Sequence, residues 1–170
     1  MIDHLPDRLD LIATAEAGRV LRGRVPLTQL ERLAPLLLSQ EGELEVDLEL
    51  GKARDGTRYL SGRITGTLAL SCQRCLEEMR LPLDIRVCLG LVRSQAAAQE
   101  LNRRYEPLIV SGEPARLAEV VTDEVLLALP IVAVHGDMGD CRNLGAEYAA
   151  SAPEGRENPF AVLERLKQKH

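Results

Sequence analysis

Residues 43–50 read ELEVDLEL. In an extended chain successive side chains point to opposite faces. Leu44, Val46, Leu48 and Leu50 therefore share one face, and Glu43, Glu45, Asp47 and Glu49 the other. That is the signature of a half-buried strand. ARDGT follows, and Asp-Gly between two alternating runs marks a tight hairpin, because glycine accepts the backbone that such turns demand. The next run, from about Tyr59 to Cys72, places Leu60, Ile64, Leu68 and Leu70 on one face and Arg63, Thr65 and Thr67 on the other. After SCQRCLEEM a third run aligns Leu81, Leu83, Ile85, Val87, Leu89 and Leu91. Residues 43–92 are thus expected to form a three-stranded antiparallel meander.

Upstream, GRVLRGRV (18–25) is strand-like and Pro26 closes it. LTQLERLAPLLLSQ (27–40) reads as a helix, with Thr28 as N-cap and Glu31 three residues on in a capping-box pattern. Pro35 is expected to kink or shorten it. Downstream, residues 94–104 read as a loop or short helix and EPLIV (106–110) as a further strand. PARLAEVVTDEVLLALP (114–130) reads as the main helix, with Leu117, Val120, Val121, Val125 and Ala128 as its apolar stripe and Pro130 as its stop. The chain then turns loop-like through Asn158, and NPFAVLERLKQ follows with Phe160, Leu163 and Leu166 on one face. The expected class is α+β: an antiparallel β-meander packed against one main helix, with a short amphipathic C-terminal helix. Residues 1–134 form the single domain, 135–158 a loop-rich linker, and 159–170 a helix associated with that domain.

The 170 residues suffice for one core, and with 45% hydrophobic residues, no Trp, one Phe and three Tyr that core is aliphatic. Aromatic platforms for stacking bases are hard to assemble from such a chain. Lys and Arg number 21 against 26 acidic residues, a net charge of −5. This counts against gripping RNA with the whole surface. Local clusters occur at Arg19, Arg22 and Arg24, and at Arg103 and Arg104; each reads as a phosphate-facing patch or as solvated charge. MIDHLPDRLDLIA lacks a basic start followed by an apolar run, and no stretch is apolar for the length of a membrane span. The expectation is a cytoplasmic protein with reduced thiols, no membrane association and no small-molecule substrate. The oligomeric state is left open.

SCQRCL (71–76) has three readings. A C-x-x-C pair at a hairpin tip brings two thiolates together, half of a tetrahedral metal site. His135 and Cys141, in VHGDMGDC, would supply the other half, so that Cys72, Cys75, His135 and Cys141 hold one structural zinc and tie the tip to the loop after the main helix. Alternatively Cys72 fills the core, Cys75 is a turn thiol and His135 lies on the surface. The third reading, a redox pair, fits poorly, because redox C-x-x-C pairs open a helix whose N-terminus lowers the thiol pKa. Here the neighbours are antiparallel strands, with Glu77 and Glu78 close by. Cys88, mid-strand, reads as packing. His4 and His135 are followed by Leu-Pro and Gly-Asp rather than the x-Glu of a zinc deaminase. Neither a phosphate-cradling glycine loop nor a nucleophile triad is visible, so the chain reads as no enzyme. Asp123 and Glu124 read as an acid–base pair or, more simply, as the helix's solvent strip. Phe160, Leu163 and Leu166 would dock on their own domain or on a partner.

CQRCLEEM, then YEP at 105–107, TDEVLLALPIVAVH at 122–135 with Cys141 beyond, and ENPFAVLERLK at 157–167 together resemble the YceD family of large ribosomal RNA subunit accumulation proteins. The resemblance implies a bacterial cytoplasmic protein that supports synthesis, processing or stability of 23S ribosomal RNA. It implies as partners large-subunit rRNA or its assembly proteins, and no catalytic residue. Cys72, Arg74 and Cys75 match the family's C-x-R-C, whereas the cysteine-rich cluster of many relatives after the helix is represented here by His135 and Cys141. Two modes of action follow. Arg22, Arg24 and Arg74 contact rRNA directly, or the chain is a zinc-clipped adaptor that binds an assembly factor or basic ribosomal protein without touching RNA.

Overall fold

The computed structural model describes residues 5–136 and 141. The chain divides after Val134, and of the second unit only His135, Gly136 and Cys141 are described. The expected linker and C-terminal helix otherwise lie outside the described residues, as do Phe160, Leu163 and Leu166.

The elements in chain order are β1 (Arg8–Leu9), α1 (Leu11–Glu16), β2 (Val20–Pro26), β3 (Glu43–Lys52), β4 (Arg58–Ser71), β5 (Glu78–Val92), α2 (Gln95–Glu100), β6 (Glu106–Ile109), β7 (Ala115–Arg116) and α3 (Leu117–Ala128). The fold is α+β. β3, β4 and β5 form the expected antiparallel meander, joined at the first turn by Asp55-Gly56, with Gly56 at φ 86° and its N–H on the carbonyl of Ala53 at 3.0 Å. β2 extends the sheet on the β3 side and β6 on the β5 side, giving the order β2-β3-β4-β5-β6. β6 pairs parallel to β5, which no pattern in a four-residue strand announces. β1 and β7 make a separate two-stranded ribbon.

Alternation decides the faces. Leu44, Val46, Leu48 and Leu50 of β3 are buried beside Leu60, Ile64 and Leu68 of β4 and Val87, Leu89 and Leu91 of β5. Two helices cover this apolar face. α3 lies against β5 and seats Leu117, Val121 and Val125 in the core. α1, which sequence periodicity does not reveal, lies against β3 and β4. It is capped by Asp10, whose carboxylate accepts the N–H of Ala13 at 2.9 Å, and it buries Leu11, Thr14 and Ala15. α3, with twelve residues, is the main helix, and the six-residue α1 adds to its cover.

The expected helix over 27–40 is not formed. Two short 3₁₀ turns, Leu27–Gln29 and Ala34–Leu36, stand in its place. The N–H groups of Leu30, Leu33 and Leu36 reach the carbonyls of Leu27, Leu30 and Leu33, each three residues back. Leucines spaced by three align on one face of a 3₁₀ path, whereas on an α-helix the row drifts by about 60° at each step. Leu27, Leu30 and Leu33 are all buried, and Pro35 has no N–H for an α-helical bond. Thr28 makes no cap; Pro26 occupies that position. The main helix is shorter than expected because Ala115 and Arg116 are used in β7.

Of the described glycines, Gly62 lies closest to neighbouring backbone. A Cβ there would overlap the carbonyl oxygen of Asp47 and stand 2.9 Å from the Cα of Leu48 on β3. Gly62→Ala is expected to destabilise the protein by about 2–4 kcal/mol, as overpacking against backbone that cannot yield. Urea denaturation checks this; an unchanged midpoint would show that the β3–β4 contact is looser than described.

Candidate metal centre at the tip of the long hairpin

β4 and β5 pair from Tyr59↔Gly90 to Ser71↔Glu78, so the segment 72–77 must reverse the chain at the end of the longest strands in the sheet. It does so tightly. The N–H of Leu76 donates to the carbonyl of Cys72 at 2.8 Å, and the N–H of Cys72 to that of Glu77 at 2.9 Å. Closing this turn puts Leu76 at φ 62°, the left-handed region that leucine rarely adopts. Cys72 continues the buried face of β4, as its parity requires, and Cys75 is half-buried in the turn. Just outside the ladder, the N–H of Gln73 donates to the carbonyl of Ala133 at 2.8 Å, holding the segment that follows α3 against the turn.

His135 lies two residues beyond Ala133. Its Nδ1 is 3.4 Å from Sγ of Cys141, which is buried. Each of Cys72, Cys75, His135 and Cys141 offers one ligand atom, and these atoms lie within 4.8 Å of one another. Donors at the usual zinc distances subtend tetrahedron edges of about 3.5–4 Å, so the spacing suits one small ion. Three thiols and one imidazole favour zinc over calcium or magnesium, which prefer oxygen. Four protein donors leave no open coordination position, the arrangement of a structural site. This set is able to hold a metal ion. Cys88 stands apart: it is exposed on the other face of β5, with Sγ 3.4 Å from the carbonyl of Arg104.

Of the expected RNA-contacting arginines, Arg22 and Arg24 share a face and Arg74 does not join them. Arg22 and Arg24 lie on the polar face of β2, each opposite a β3 carboxylate: Arg22 faces Asp47 and Arg24 faces Glu45. Arg22 Nε is 3.0 Å from Asp47 Oδ2, and Arg24 is 2.8 Å from Glu43 and 3.5 Å from Glu45. The ladder continues to β4 and β5, where Arg63 binds Asp84 at 2.5 Å and holds its carboxyl below the ordinary range. Arg22, Arg24, Glu45, Asp47 and Arg63 line an open trough of about 590 Å³. Arg74 sits instead in the 72–77 turn. From Arg63, in register with Asp47 and hence Arg22, the strand runs eight residues to Ser71, roughly 26 Å.

Asp123 and Glu124 also part company. Asp123 is exposed and pairs with Arg32. Glu124 is partly buried, and burial, with Glu106 and Asp123 nearby, raises its pKa. Two features of the tip escaped sequence reasoning: the Gln73–Ala133 bond, which no side-chain pattern encodes, and the exposed Leu76.

Among the described residues no helix is long and apolar enough to cross a membrane. No solved structure matches the chain. A large ribosomal RNA subunit accumulation protein YceD from Haemophilus influenzae is 31% identical over 170 residues, 97% of each chain. A family model described as large ribosomal RNA subunit accumulation protein YceD matches residues 60–167, a span that takes in β4, the cysteine pair, α3, His135 and Cys141. The chain belongs to the YceD family.

Proposed function

We propose that the protein is a non-enzymatic factor in the accumulation of 23S ribosomal RNA and the biogenesis of the large ribosomal subunit, acting in the bacterial cytoplasm. The observation that carries this reading is the family match, which spans all four metal donors and extends in the Haemophilus influenzae relative over almost the whole chain. One structural zinc on Cys72, Cys75, His135 and Cys141 is part of the proposal. The donor set supports it by its sulfur content, its spacing and its closed coordination. When bound, the ion would supply cross-linking and no chemistry.

The polar face favours action through a protein over direct RNA binding. Phosphates approaching Arg22 and Arg24 must displace Asp47, Glu43 and Glu45 while facing a net charge of −5. An acidic adaptor suits a basic ribosomal protein or an assembly factor. The amphipathic face of Phe160, Leu163 and Leu166 remains a proposed contact for such a partner, and Arg22, Arg24 and Arg74 the contacts if RNA is touched.

Ultraviolet crosslinking in living cells is expected to recover no more RNA on the protein than an uncrosslinked control, while depletion of the protein lowers 23S rRNA relative to 16S. Localised crosslinks to 23S rRNA that vanish with Arg22→Ala and Arg24→Ala would overturn the adaptor mode. Unchanged rRNA on depletion would overturn the function itself. For the metal, removal by a strong chelator should lower Tm by about 10 °C, from about 4 kcal/mol of ligand linkage at a thousandfold over Kd. Cys72→Ser and His135→Ala should purify without zinc. A Tm indifferent to chelation would reduce the cysteine pair to packing.

A further inference from the structure

The buried side of α3 and its exposed side differ sharply in use. Val121 and Val125 are fully enclosed, whereas Leu127 is 77% exposed and Ile131, just past the helix, 98%. Val132 is also exposed, and so is Leu76 in the hairpin turn, at 79%. The Gln73–Ala133 bond holds that turn beside residues 131–133, so these aliphatic side chains belong to one end of the molecule. Scattered exposed leucines are ordinary, but a cluster of this kind marks a contact surface.

The segment that leads into the cluster is mostly acidic. Residues 105–134 contain five acids, Glu106, Glu113, Glu119, Asp123 and Glu124, and one base, Arg116. That is a net −4 of the chain's −5. A groove of about 360 Å³ lies between β6, β7 and the outer side of α3, lined among others by Ile109, Glu113, Glu119 and Asp123, with Arg8 and Arg116. Asp123 stands one helical turn before Leu127, so the groove leads to the apolar cluster. Asp123 and Glu119 have Arg32 and Arg116 as partners. Glu124 is partly buried, and burial first, then the nearby Glu106 and Asp123, raises its pKa.

We propose that the outer side of α3 and the loop after it form a docking surface for a basic polypeptide segment that carries apolar side chains. The inference deepens the protein-partner mode proposed above and rests on it. The partner's cations meet Glu106, Glu113 and Glu124, and its apolar side chains cover Leu127, Ile131, Val132 and Leu76. RNA is repelled by the same carboxylates, and a second copy of this chain would bring like charge to like.

The test uses the full chain and a fluorescein-labelled amphipathic lysine/leucine peptide, read by anisotropy. Its Glu/Leu and Lys/Ser counterparts should each bind at least about tenfold more weakly. The Leu127→Ser, Ile131→Ser double variant should lose about tenfold in affinity, with its thermal melt unchanged because both side chains are exposed. Leu36→Ser with Leu38→Ser, exposed elsewhere, should lose nothing. Equal affinity of the first double variant and the parent, equal losses in both variants, or tight binding of the Glu/Leu peptide would each overturn the proposal. So would competition by a single-stranded RNA oligonucleotide for the site. The readout does not involve rRNA levels. A failed depletion experiment would remove the proposed function and leave this result standing, and the reverse also holds.

Discussion

The pairing of β4 with β5 sets the position of nearly everything else. It runs from Tyr59↔Gly90 to Ser71↔Glu78, and a slip of one residue would carry Leu60, Ile64 and Leu68 from the core to solvent. With the register fixed, Cys72 and Cys75 must occupy the turn at one end. β6 pairs with Leu89–Val92 at the other end of β5. α3, twelve residues and about 18 Å long, then leads back from β7 so that Ala133 meets Gln73. The Gln73–Ala133 contact at the tip is thus a consequence of strand length and helix length together.

The two sides of the molecule serve different ends. On the polar face of the sheet, arginines and carboxylates alternate across β2, β3, β4 and β5 and satisfy one another. Exposed ion pairs of this sort contribute little to stability, of order 0–1 kcal/mol each, but they leave few cations for phosphates. Along α3 the charge is mostly acidic, and aliphatic side chains are exposed there and at the tip. This surface is the ground for the proposal that the partner is a basic protein and not the RNA.

Much of this was legible in the residues, and the failures have physical causes. Period-two alternation over 43–92 is strong because one face is buried and the other wet, and all the leucines placed inward by parity in β3 are buried. Leu27, Leu30 and Leu33 misled because a spacing of three satisfies a run of 3₁₀ turns as well as part of a helical stripe. α1 has only six residues, too few for periodicity, although Asp10 was there to cap it. The C-x-x-C spacing exposed half of the donor set, and His135 and Cys141 followed as the remaining soft donors beyond the helix. The partners of Arg22 and Arg24 depended on cross-strand register, which lies in the pairing of β2 with β3 and in neither strand alone.

The most direct measurement is X-ray absorption at the zinc edge on protein purified without added metal. The account predicts one zinc per chain, with three sulfur ligands at about 2.3 Å and one nitrogen at about 2.0–2.1 Å. A metal-free protein that is nonetheless folded, or zinc in an oxygen-rich shell, would contradict it.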